Sequence, residues 1–285
     1  MLPTIVPVSG LPRSGSTLLV NLLAQNPAFH VTPTNDLITL VNGVRNQWHR
    51  LPGFMAQGLK SVQPRVASAL RGLTYGFYEK ELSQGKVVFD KNRGWLGNIE
   101  LLEEVYGREV RVICTIRDVR SVLGSFEKLH RSNPLARSQY VGQNYLKGQT
   151  AHGRAQLLLG DGGVVGASVN MIRDALGRGI SDRLILVPYK VLTHEPQATL
   201  NRIHDRLNVP RFAYNPDRVA QVTHEEDAIH GWGHDLHTIR PRVEPAKERP
   251  WEGILPPLTA QWVDAEYADI NQIAGLSRFR GRSCT

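Results

Sequence analysis

A chain of 285 residues, 41% hydrophobic and 21% charged, is long enough to bury a substantial core in one large domain and too apolar to be disordered. Its formal charge of +8 favours polyanionic or multiply phosphorylated partners, but no basic stripe interleaved with aromatics and no zinc-finger spacing points to nucleic acid. No apolar run is long enough to span a bilayer, and Cys114 and Cys284 are too differently placed for a structural disulfide, so a cytoplasmic protein without nucleic-acid or membrane partners is expected.

A short apolar strand is expected over residues 4–8. It runs into a Gly/Pro/Ser-rich turn that opens a helix, with Leu18, Leu19, Leu22 and Leu23 at helical spacing and Asn26-Pro27 as the stop. The turn has the skeleton of a phosphate loop: Gly10, four residues, Gly15, then the hydroxyl pair Ser16-Thr17. Successive backbone N–H groups of such a turn converge on an anion, and the helix dipole adds partial positive charge. In nucleoside triphosphatases a Lys precedes the hydroxyl residue and reaches the outer phosphates. Here Ser16 holds that place and the cation is Arg13, which argues for a phosphorylated donor other than a magnesium nucleoside triphosphate.

The polar residues 30–36 are expected near the mouth of this loop. Residues 37–84 read as helical, with Leu40, Val44 and Trp48 on one face and Leu59, Val62, Val66, Leu70, Leu73 and Phe77 on another. This helical insertion, about 37–85, is expected to leave the sheet and wall a substrate cleft. A strand over 86–90 ends in Asp90-Lys91-Asn92-Arg93, and a helix follows over 95–106. Residues 110–116 form a strand apolar enough to be buried on both faces; it ends at Arg117-Asp118 and a helix with Val122, Leu123, Phe126 and Leu129 follows. Residues 131–150 carry no readable pattern. A helix over 166–176, a strand over 183–187 leading to Tyr189-Lys190, and a helix opened by Pro196 come next. A His/Arg/Pro-rich segment over 221–258 precedes a last helix over 259–273. Alternating strands and helices give an α/β fold: one domain over 1–285, a parallel sheet flanked by helices, with a helical insertion.

Gly10-Leu-Pro-Arg13-Ser-Gly-Ser-Thr-Leu-Leu19 resembles the 5′-phosphosulfate loop of sulfotransferases that use 3′-phosphoadenosine-5′-phosphosulfate (PAPS). The longer run from Ser9 to Pro27 resembles most the bacterial and phage branch related to tyrosylprotein sulfotransferases. A second motif, Ile113-Cys-Thr-Ile-Arg117-Asp-Val-Arg-Ser-Val-Leu-Gly-Ser125, resembles that family's clamp on the donor's 3′-phosphate. The resemblance implies a sulfotransferase fold, PAPS as co-substrate, adenosine 3′,5′-bisphosphate as product, no metal, and an acceptor hydroxyl on a tyrosyl group, glycan, lipid or small molecule.

Ligands of open parallel sheets bind at the carboxyl ends of the strands, where Arg13, Lys91, Arg117 and Tyr189 are expected. Arg13, Ser14, Gly15, Ser16 and Thr17 are candidates for the 5′ side of the donor, and Arg117 with Ser125 for its 3′-phosphate. By resemblance Tyr189 lies near the adenine, with Lys190 where the family commonly has an acidic residue, and Arg240 matches a late nucleotide-binding cation. Arg13 and Lys91 are candidates to stabilise charge on the departing bisphosphate. Where the tyrosylprotein enzymes place a Glu base, this chain has none; Asp36 is the nearest carboxylate, with an N-cap as its alternative role and His30 as an alternative base. His224, His230, His234 and His237, beside Glu225, Glu226 and Asp227, invite a metal reading but lack a metalloprotease spacing, and a polar loop folding over donor or acceptor is expected instead. The alternatives to a sulfotransferase are a small-metabolite kinase using ATP and magnesium, with Asp90 as its loose metal ligand, and a non-catalytic nucleotide- or polyanion-binding module.

Overall fold

The computed structural model describes residues 5–133, 135, 144–232 and 236–275. Five parallel strands, β1 (Ile5–Gly10), β2 (Phe29–Thr34), β3 (Val87–Lys91), β4 (Val112–Ile116) and β5 (Leu184–Pro188), form one sheet in the order β2-β3-β1-β4-β5. Because strand side chains alternate, Val88, Val112 and Cys114 enter one hydrophobic core while Val87, Phe89 and Ile113 enter the other. Helices Ser16–Leu23 and Pro196–Leu207 cover the second face. The first face is covered by helices Ile99–Tyr106, Val119–Ser132, Ala151–Leu159 and Val164–Gly177 and by the insertion. Among the described residues no helix is long and apolar enough to cross a membrane.

The four expected strands are present with ends shifted by at most two residues; β2 was expected only as a polar segment. It contains Pro33 and slips register between Val31 and Thr34, which an edge strand tolerates because it owes hydrogen bonds on one side only. The insertion is helical as expected, over Leu37–Gln47, Pro52–Gln57, Leu59–Phe77 and Glu79–Ser83. It is broken at Gly58, whose φ is +83°, and Pro64 does not interrupt it. Its inner face, Leu37, Ile38, Val41, Val62, Val66 and Leu70, joins the first core.

A buried carboxylate ties the insertion to the sheet. Asp90 accepts hydrogen bonds from the Tyr78 hydroxyl at 2.5 Å and the Trp95 indole at 2.9 Å, while burial lifts its carboxyl to about 6 against the pull of both donors. Asp90→Ala leaves both donors unsatisfied, and urea unfolding should show a loss of about 2–4 kcal/mol. An unchanged midpoint would mean that the two donors find other partners.

Candidate active site

Sterics fix the loop between β1 and the helix Ser16–Leu23. Gly10 has φ +128°, and a Cβ there would lie 2.1 Å from the Thr115 carbonyl oxygen. Gly15 has φ +88°, and a Cβ there would lie 2.5 Å from the Tyr189 ring. Between them Arg13 holds φ +57°, a left-handed conformation uncommon for a residue with a side chain. The Leu11 amide donates to the Thr115 carbonyl at 2.9 Å, and the Ser14 hydroxyl bonds both the Leu11 carbonyl (2.5 Å) and the Thr115 hydroxyl (2.6 Å). No side chain caps the helix that follows, so its first amides are free to meet an anion.

Above the loop lies a cavity of about 460 Å³. Arg13, Gly15, Ser16, Thr17, Lys91, Arg117, Tyr189 and Arg240, all expected in the site, line it. Lys91 closes β3, Arg117 follows β4 and Tyr189 follows β5, so the parallel topology brings them to one rim. The Arg117 guanidinium donates to the Arg13 carbonyl at 2.8 Å and lies 4.5 Å from the Tyr189 ring centroid, a cation–π distance. Asp118, its sequence neighbour, caps the next helix and pairs with Arg120 instead. The Arg13 Nε donates to the Ser125 hydroxyl at 3.0 Å, and its Nη1 to the Leu236 carbonyl. Arg13 and Arg117 thus share one cavity, and Ser125 meets Arg13 where Arg117 was expected. Burial and the nearby Arg117 pull the Arg13 guanidinium down to about 10, partly offset by Asp227 and Tyr189; burial lowers Arg117 as well. Neither guanidinium forms an ion pair among the described residues.

The roof is built from residues 221–232 and 236–246, of which His230, Trp232, Leu236, His237, Thr238 and Ile239 line the cavity. Asn21 fastens it to the floor. Its side chain donates to the Thr17 carbonyl and the Thr223 hydroxyl, each at 2.8 Å, and accepts from the amides of Val222 (2.6 Å) and Thr223 (3.1 Å). Glu225, which the sequence offered only as a neighbour of the histidine cluster, anchors Lys91. It accepts from Lys91 Nζ at 2.7 Å and from the Thr34 amide and hydroxyl at 2.9 and 3.0 Å. Lys91 Nζ also reaches the Thr17 hydroxyl at 3.3 Å. Burial lowers the Lys91 ammonium and Glu225 opposes it; burial raises Glu225, but Lys91 and its hydrogen bonds hold it below the usual range.

His237 stands beside this pair. Its Nδ1 lies 2.6 Å from Asp227 Oδ1 and 3.3 Å from Glu225 Oε2. That network assigns the proton to Nδ1 and leaves Nε2 to accept another. Burial, followed by Lys91, pulls the imidazole below its ordinary value while the two carboxylates resist, which favours the neutral ring.

Some expected residues lie elsewhere. Asp36 does not line the cavity. It occupies the N-cap position of Leu37–Gln47, where its carboxylate bonds no helix amide and accepts from Asn92 at 3.3 Å. The Ser14 hydroxyl is turned inward, leaving only its backbone for an anion. His30 sits on β2, its ring 6.3 Å from that of Tyr78. Arg240 is at the rim, 71% exposed and paired with Glu244. No residue of the insertion lines the cavity, correcting the expectation that it walls the cleft; the roof takes that place. Glu225, His230 and His237 could present ligand atoms within 4.8 Å of one another, but a cation there would compete with Lys91 for Glu225. His234 and Cys284 fall outside the described residues.

A family model described as "Sulfotransferase family" matches residues 6–213. No curated protein matches the chain. Among solved structures, the sulfotransferase domain from the Synechococcus PCC 7002 olefin synthase is similar, with 21% identity over 94% of this chain and 95% of that one and a TM-score of 0.51. The sulfotransferase domain from the curacin biosynthetic pathway is similar too, with 17% identity over 94% and 98% and a TM-score of 0.52. At these identities the likeness is one of fold.

Proposed function

The chain belongs to the sulfotransferase family, and from that premise we propose that it moves a sulfuryl group from PAPS to an acceptor hydroxyl. The observation that carries the choice of donor is the pair of partly buried guanidiniums, Arg13 and Arg117, that share one cavity without a carboxylate between them. Such a pair is costly unless an anion with more than one charged group completes it. The resemblance of the Ser9–Pro27 run supports placing the chain beside the branch related to tyrosylprotein sulfotransferases. A magnesium kinase is disfavoured because both carboxylate oxygens of Asp90 are taken by Tyr78 and Trp95.

The amides of residues 13–17 would hold the 5′ side of the donor, Arg117 its 3′-phosphate, with Ser125 acting through the Arg13 guanidinium that it meets, and Tyr189 would lie along the base. Bound PAPS supplies a sulfur–oxygen bond whose cleavage leaves charge on the bisphosphate. Lys91 and the Thr17 hydroxyl are the donors placed to stabilise that charge. His237 Nε2 takes the acceptor's proton, and Asp227 holds the imidazole tautomer through Nδ1. Glu225 orients Lys91. The acceptor oxygen gains the sulfur, the bridging oxygen loses it, and the proton ends on His237.

Calorimetry tests the donor assignment. Adenosine 3′,5′-bisphosphate should bind without magnesium and outcompete ATP, and Arg117→Ala should weaken it by more than about 1.5 kcal/mol, the lower end for a charge-assisted hydrogen bond. Tighter binding of magnesium-ATP would sink the proposal.

A further inference from the structure

The proposed chemistry does not use the outer surface of the insertion. Between residues 37 and 78 the sequence has Arg45, Arg50, Lys60, Arg65 and Arg71 and no Asp or Glu. Helices Leu37–Gln47 and Leu59–Phe77 each bury one face in the core. The connection between them packs Trp48 and Phe54 against that core but leaves Leu51 and Met55 exposed. No residue from Trp48 to Gln57 is fully buried, although Trp48, Leu51, Phe54 and Met55 lie there. Leu51 is 47% exposed and Met55 57%, with Leu40, Val44 and Leu59 exposed nearby. Arg45 bonds only the Asn98 side-chain oxygen, and Arg45, Arg50, Lys60 and Arg65 meet no carboxylate among the described residues.

An ordinary solvated segment mixes both charge signs and scatters its apolar groups. This one joins aliphatic side chains to cations alone. Val44-Arg45, Arg50-Leu51 and Leu59-Lys60 each set an aliphatic group beside a cation whose stem can lie along apolar surface while its head reaches a phosphate. That is the chemistry of a segment seated in the interface of an anionic bilayer. We propose that residues 44–60 are a docking surface for an anionic membrane. Leu51, Met55 and Leu59 enter the headgroup boundary, and Arg45, Arg50 and Lys60 meet lipid phosphates. The absence of a spanning run led to no expected membrane partner; an interfacial segment is too short and too charged to register as one. The surface lies outside the cavity and is independent of the donor assignment.

Vesicle flotation of the full chain tests this, with phosphatidylglycerol–phosphatidylcholine vesicles beside phosphatidylcholine alone. Binding is expected to the anionic vesicles only, and to fall by about tenfold or more between about 0.1 M and 0.5 M salt. The pairs Leu51→Ser/Met55→Ser and Arg50→Gln/Lys60→Gln should each weaken it by at least about tenfold. Thermal unfolding should show both variants folded, since none of these residues is buried. Absence of binding to anionic vesicles overturns the proposal. Binding that both variants retain also overturns it, since net charge elsewhere would then suffice. Capture of polyglutamate by the unaltered chain without vesicle binding would overturn it in favour of an acidic protein partner.

Discussion

His237→Gln is expected to lower kcat by about 10²–10⁴-fold, the range for loss of a general base, while bisphosphate affinity changes little. Tautomer and location set that expectation. Asp227 fixes the Nδ1 proton, the ring lines the cavity that holds Lys91 and Arg13, and burial favours its neutral form. Catalysis needs the unprotonated imidazole, so activity is present above its pKa and lost as pH falls through it. Because burial and Lys91 pull that pKa below the ordinary 6.5, the acid limb of kcat/KM for the free enzyme should lie below 6.5. The limb should disappear in His237→Gln. A variant at full rate with its acid limb intact would remove His237 from the chemistry.

Replacing Lys91 should cost about 10²–10³-fold in kcat, as for removal of one preorganised donor to transition-state charge. The single variant is a poor test, because Lys91→Ala strands Glu225, whose side chain is 9% exposed, as an unpaired buried carboxylate. Breaking such a pair costs about 3–5 kcal/mol. Lys91→Met with Glu225→Gln removes both charges together and should regain most of that stability without regaining turnover. Comparable thermal midpoints with kcat still depressed would separate catalysis from folding. Normal turnover in the double variant would show that neither charge takes part.

The sheet was readable where chemistry and periodicity coincide. The phosphate-loop skeleton marks the end of β1, and Lys91 and Arg117 each end an apolar run, so the parallel topology had to bring them together. β2 escaped notice because an edge strand can hold a Pro and alternate weakly. The helix Ala151–Leu159 was hidden for a different reason. Its inward face includes Arg154, paired with the buried Glu127 at 2.8 Å, so its pattern reads as polar. Asp36 drew attention through nearness in sequence to the first helix, whereas Glu225 lies 134 residues from Lys91, in a segment without regular structure. Acidic residues beside histidines were the only local signal there, and they could not say which element they would face.

The attachment made by Asn21 has a consequence for turnover. One amide group, rooted in the helix that the phosphate loop opens, holds Thr17 on one side and Val222 and Thr223 on the other. Near residue 222 the ceiling is therefore tied directly to the anion cradle. On the proposed reaction, the spent bisphosphate is then expected to leave past the exposed Arg240–Glu244 pair at the cavity edge rather than by a hinge near residue 222.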